Sequence, residues 1–216
     1  MKPLLTPIHA LRQALLVGLL AISAPALLWA AGTPYGIEGT ELPIIHKSST
    51  TTCYAYGKYL VQTTATKGSV GEDIRITARK GKGTSCSSNV PKALLVLKNT
   101  DAAWFEGLSG SHLLVDNGTG PSGRTLAIYD LSNGYDLSNG KKVYSGAYEG
   151  EITLKNGATL SFLQPLGPVK SISKCPNASD ALKAMMPDVL LAEQVQLDLS
   201  TRKLTQTGIK ECVSVQ

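Results

Sequence analysis

The chain has 216 residues, 43% of them hydrophobic, with 21 lysines plus arginines against 16 acidic residues, a net charge of +5. When Lys2 and Arg12 are set aside with the leader described next, 19 cationic residues face 16 acidic ones, a charge of +3. So small an excess excludes a nucleic-acid footprint, and the length supports one domain with a real core.

Lys2 and Arg12 give a positive start, Ala14–Ala24 is apolar, and small residues follow at Ala24, Ala26, Ala30 and Ala31. This is the three-part layout of a secretory signal peptide, with cleavage favoured after Ala30 or Ala31. Pro25 interrupts the apolar run, which falls short of the roughly 20 residues a spanning helix needs. No stable membrane anchor is therefore expected after cleavage, and the expected location is periplasmic or secreted. No cysteine precedes Cys53, so no lipid attachment is expected at the cleavage point.

Residues 32–52, with Pro34, Gly36, Gly39, Pro43 and a Ser-Ser-Thr-Thr-Thr run, read as an extended, loosely held arm. Residues 53–216 read as a single disulfide-braced domain. Tyr54–Thr64 and Asp73–Arg79 look like strands; in the second, Ile74, Ile76 and Ala78 alternate with Arg75, Thr77 and Arg79. Ala93–Leu97 is short and almost wholly apolar, the pattern of a central strand.

From His112 to Leu163, four Asn-Gly pairs (117–118, 133–134, 139–140 and 156–157) separate short runs rich in Leu, Ile, Val and Tyr. Asn and Gly tolerate the positive φ that tight hairpins demand, so this stretch reads as a β-meander. Tyr-Asp-Leu-Ser-Asn-Gly occurs at 129–134 and again at 135–140. Further on, Ser179 or Asp180 can cap a short helix through Met186, ended by Pro187. Val195, Leu197 and Leu199 alternate, and LDLSTRKLT echoes YDLSNGKKV. The expected fold is mainly β, an antiparallel sandwich or small barrel with a β-meander and one short C-terminal helix.

Cys53, Cys86, Cys175 and Cys212 are an even set in an exported chain, which reads as two disulfides. Four cysteines allow three connectivities. Cys53–Cys86 and Cys175–Cys212 are favoured, because each pair lies within one segment on its own side of the meander.

Chemistry is sparse. Gly118–Thr125 has the spacing of a phosphate loop, with Arg124 where that motif has Lys, but a β-prone run follows where a helix is required. The role expected for it is a turn. Leu114–Thr119 resembles the Asp-Thr/Ser-Gly loop of aspartic proteases, which need two such aspartates; Asp116 stands alone, with Asn117 in the Thr/Ser position. Glu149 and Glu151 flank Gly150, the pattern of a hairpin turn with solvated acids. No nucleophile elbow, metal-ligand cluster or cofactor motif is present, and no metal or cofactor is expected.

Ser145-Gly146-Ala147-Tyr148 resembles the short Ser-Gly-x-Tyr-type loop of bacterial periplasmic lysozyme inhibitors, and Lys155–Leu160 is loosely similar to a second stretch in one such family. The resemblance implies Ser145, Gly146 and Tyr148 as binding residues and a lysozyme as partner. VDNGTGPSGRTLAIYDLSNG and the LDLSTRKLTQTG tail also resemble secreted bacterial β-rich proteins, which implies a shared fold and envelope location and supplies no activity. The function expected from the sequence is a non-catalytic exported protein that binds another envelope component. The alternatives are a lysozyme inhibitor acting through Ser145–Tyr148 and a hydrolase using Asp116.

Deleting Tyr135–Gly140 is expected to leave a folded protein. Six is an even number, so the deletion preserves which strand face is buried, and doubling a loop costs only about 0.6 kcal/mol in closure entropy. Thermal melts of the two forms test this; a large loss on deletion would mean that the second copy packs into the core.

Overall fold

A computed structural model describes residues 37–79, 86, 92–120, 122–132, 142–179, 183 and 188–215. The leader, the second Tyr-Asp-Leu-Ser-Asn-Gly copy and most of the expected helix lie outside these residues. Of that helix the described part is one α-type bond, from the Lys183 N–H to the Ser179 carbonyl at 2.9 Å.

The described residues form two antiparallel sheets with no closed barrel, so of the two expected architectures the sandwich is the one present. The first sheet runs β1 (Ile44–Lys47), β2 (Thr51–Ala55), β3 (Tyr59–Ala65), β4 (Glu72–Ala78) and β5 (Leu95–Leu97). The second runs β6 (Ala103–Ser109), β7 (His112–Asn117), β8 (Arg124–Asp130), β9 (Lys142–Lys155), β10 (Thr159–Pro168), β11 (Val189–Asp198) and β12 (Leu204–Ser214). Within each sheet every strand pairs with its neighbours in sequence, so the meander extends well beyond the Asn-Gly stretch.

Three details differ from expectation. Residues 44–47 and 51–52 of the expected arm are strand residues, with Ile44 opposite Ala55. Tyr54–Thr64 is a hairpin, because the Tyr56 N–H bonds the Tyr59 carbonyl and turns the chain. Ala93–Leu97 supplies an edge strand: Leu94 and Leu95 fill the core, but Val96 is 47% exposed and among the described residues no strand lies beyond it. Apolarity reported the burial of two leucines and could not report which side of the sheet remained open.

Strands β6 to β8 form a middle layer buried on both faces. Leu113, Val115 and Ala127 pack under Val61, Ile74 and Ile76 of the first sheet. On the opposite face Leu114, Leu126 and Ile128 meet Leu160, Phe162 and Val195. Strand alternation puts residues 113 and 114 on opposite faces, so a run that is apolar throughout serves two cores.

The layering depends on β9. Its first half pairs with β8, as in Gly146 opposite Leu126, and its second half with β10, as in Leu154 opposite Leu160. Between Thr153–Ser161 and Glu149–Leu163 the register slips, with extra residues on β9 around Gly150 at φ +67°. A bulge of this kind bends its strand. Gly150 is thus a bend within one strand, not the hairpin turn its sequence suggested. Asn156 and Gly157, at φ +53° and +64°, make the tight turn that ends β9, with the Ala158 N–H on the Lys155 carbonyl. Asn117–Gly118 instead opens a longer connection to β8.

The two Asp-Leu-Ser hairpins also meet. Leu131 and Leu199 are both buried, each aspartate accepts backbone N–H bonds from its own turn, and Arg202 donates to Asp130 at 3.1 Å. The Asp198 carboxyl is held down at about 2 by bonds from Ser200 and Thr201.

Both disulfides join the expected partners: Cys53–Cys86, 33 residues apart, and Cys175–Cys212, 37 apart. Loops of that length give about 3–4 kcal/mol each in the chain-entropy description. Disulfides of this kind belong to an oxidising, extracytoplasmic environment.

Residues 37–41 complete the unit. The Ile37 N–H bonds Glu106 and the Glu41 N–H bonds Leu108, both on β6, while the Leu154 N–H of β9 bonds Glu38. This segment therefore covers the β6 edge and reaches β9. At Gly39, φ +91°, an added Cβ would collide with the Leu154 carbonyl. Gly39→Ala is expected to cost more than about 2 kcal/mol, against under about 0.5 kcal/mol for Gly57→Ala, which has open space around it. Urea unfolding of both variants checks this.

Candidate functional site

The sequence-predicted residues divide between the two faces of the middle layer. On the inner face, Asp116 follows Leu114 by two positions on β7 and is fully buried. Arg124 at the start of β8 stands directly opposite Tyr148 on β9. The Arg124 guanidinium pairs with Asp116 Oδ2 through Nη2, and the Tyr148 hydroxyl donates to Oδ1 at 2.9 Å. Glu106, at a bulge on β6, lies 3.9 Å from the same Nη2. Glu149, expected to be solvated, is 4% exposed and accepts the Gly123 N–H at 3.1 Å.

Burial sets the electrostatics of this cluster. It pushes the Glu106 carboxyl up, with the Arg124 cation pulling it back and the Glu72 charge adding to the rise. It also pushes the Tyr148 phenol up to about 12, again opposed by Arg124 and aided by Glu106 and Glu149. Beside the cluster lies a cavity of about 300 Å³ that Glu38, Glu106, Arg124, Tyr148 and Glu151 help to line. Asp116 presents nothing to it: both its oxygens are engaged and it has no exposed surface. A carboxylate held in this way braces β7 against β8 and β9. It is not placed to attack a substrate or to exchange protons with one.

Ser145, Gly146 and Tyr148 lie within β9, opposite Ala127, Leu126 and Arg124. They are strand residues, not a protruding loop. Tyr148 is 5% exposed and faces the inner cluster, whereas Ser145 is exposed on the opposite face. The two hydroxyls that the inhibitor resemblance needs on one surface thus face different layers. Gly146 leaves room for the Tyr144 ring and hydroxyl, which a Cβ there would strike.

Ser145 opens onto a larger cleft of about 530 Å³, between the β5 edge and the outer face of β7–β9. Asn117, Thr125, Tyr129 and Lys142 share it. The Lys142 ammonium lies 5.7 Å from the Tyr129 ring centre, and the Asn117 amide donates to the Thr125 carbonyl at 3.3 Å. The sequence gives Tyr129, Lys142 and Glu106 no site role, because each is an ordinary strand residue in its own segment. For Asp116 and Arg124 a signal existed in opposite charges on either side of a Gly-rich connection. Among the described residues no group of three or more His, Cys, Asp or Glu is placed to hold a metal.

No protein-family model matches the chain, and no curated protein matches it in sequence.

Asp116→Asn leaves the Arg124 cation without its buried counter-charge and is expected to cost about 3 kcal/mol, measurable by denaturant unfolding. Glu106→Gln should have the opposite sign at pH 7. A carboxyl raised in the folded state lets the unfolded chain ionise first, so the stability it leaves intact below 4.5 is lost as pH rises through the folded value. Glu106→Gln should therefore melt higher than the parent at pH 7, with the gap closing towards pH 4.

Proposed function

We propose that this protein is a non-catalytic exported protein of the periplasm that binds another component of the cell envelope by adding a strand to β1. The leader pattern and the two disulfides support the location. The observation that carries the binding reading is the β1 edge. Every residue of Ile44–Lys47 is exposed, and Leu42, Ile44 and Ile45 are 79%, 62% and 38% exposed. Three large apolar side chains within four residues at a sheet edge form a template for pairing.

The backbone is oriented for it. The Ser48 N–H bonds the Thr51 carbonyl, so by ladder alternation Ile44 and His46 bond towards β2 and Ile45 turns its N–H and C=O outward. Of the other edges, β5 is only three residues long, and two are blunted. Residues 37–41 lie along β6, and β12 carries a bulge at Gly208, φ +78°, with Lys210 beside it. Those are the devices by which edges are blunted. Affinity would come from main-chain bonds and selectivity from the side chains flanking Ile44.

A benzophenone amino acid placed at Ile44 in living cells is expected to give a covalent adduct with a second protein. The same probe at Ile209, 59% exposed on β12, should give none. Ile45→Pro, which removes the outward N–H while an edge strand tolerates proline, should abolish the adduct. Equal labelling from both positions would overturn the reading. So would an adduct of twice the protomer mass, since that would mean that β1 pairs with itself.

A further inference from the structure

We infer that the cleft between β5 and the β7–β9 face is a binding site for a short neutral oligosaccharide. It lies apart from the β1 edge and stands whether or not that edge takes a partner. β5 is only three residues long and, among the described residues, ends its sheet and leaves the adjoining part of the middle layer uncovered. Its volume, about 530 Å³, falls within the roughly 300–1,000 Å³ of small-molecule sites.

The lining selects the ligand class. Thr100, Thr125 and Ser145 supply hydroxyls, and Asn117 an amide. Hydroxyl and amide groups both donate and accept, which is what a ligand studded with hydroxyls requires. Tyr129 and the exposed Val96 of β5 offer surfaces for the C–H faces of sugar rings.

The charges disfavour an ionic ligand. Lys98 is paired with Asp73 at 2.8 Å, and of the two charged groups that remain in the lining one is a cation, Lys142, and the other an anion, Asp101. With two ammonium groups set against two carboxylates, the cleft has no net field to attract a polyanion or polycation. An extended peptide is a poorer fit. Strand addition draws its affinity from main-chain bonds, and three residues of β5 provide few.

The test is calorimetric titration of the disulfide-bonded protein with tetramers of N-acetylglucosamine, glucose in β-1,4 linkage and glucose in α-1,4 linkage. Tetragalacturonate and tetraglutamate serve as the charged sugar and the peptide. At least one neutral tetramer is expected to bind with a dissociation constant below about 1 mM. Ser145→Trp, which fills the cleft from an exposed position, and Lys142→Ala should each weaken it about tenfold or more, with circular dichroism unchanged. Ile209→Trp, remote on β12, should leave it unaltered. Silence from all three neutral sugars, affinity untouched by Ser145→Trp, or tighter binding of tetragalacturonate or tetraglutamate would each overturn the assignment.

Discussion

The bend in β9 is the constraint on which the rest depends. A single strand of 14 residues cannot pair with β8 along its first half, cross the layer boundary and pair with β10 along its second half unless its register slips between them. The slip at Gly150 lets the second sheet double back over its own inner face. That gives Leu114, Leu126 and Ile128 a partner layer and seals Asp116, Tyr148 and Glu149 beneath it. It also leaves the end of β9 within reach of residues 37–41. With a straight β9 the middle layer would have one dry face instead of two.

Much of this architecture was legible in the residues. Apolar runs punctuated by Asn-Gly gave the antiparallel meander, and proximity in sequence gave both disulfides. What stayed hidden was hidden for physical reasons. A bulge glycine and a turn glycine look alike in sequence, because both answer the same demand for positive φ. Gly150 and Gly157 differ only in whether the flanking residues continue one strand or reverse it. Likewise, the apolar run Leu94–Leu97 records burial on one side and says nothing about which sheet neighbour is missing. The candidate sites were least legible of all. The Asp116–Arg124–Tyr148 cluster and the Ser145 cleft each draw on three or more strands, so no local pattern contains either.

The Ser145–Tyr148 stretch shows how period-two geometry disciplines a motif. Three positions apart on a strand means opposite faces, so a serine and a tyrosine that read as one signature belong to two environments. Tyr148 gives its hydroxyl to a buried carboxylate. Ser145 remains at the surface, among hydroxyls, an amide and balanced charges. Among the described residues, the cleft at Ser145 and the apolar β1 edge both face outward.

The connectivity has a consequence for how the molecule is made. Every strand pairs with one that directly precedes or follows it. A chain that appears gradually from its N-terminal end can therefore zip each new strand onto the last without waiting for remote sequence. Residues 37–41 are the exception: their partners on β6 and β9 arrive long after they do. Glu38 emerges early and is fixed only when Leu154 of β9 arrives. The segment acts as a latch that closes only once β9 is in place.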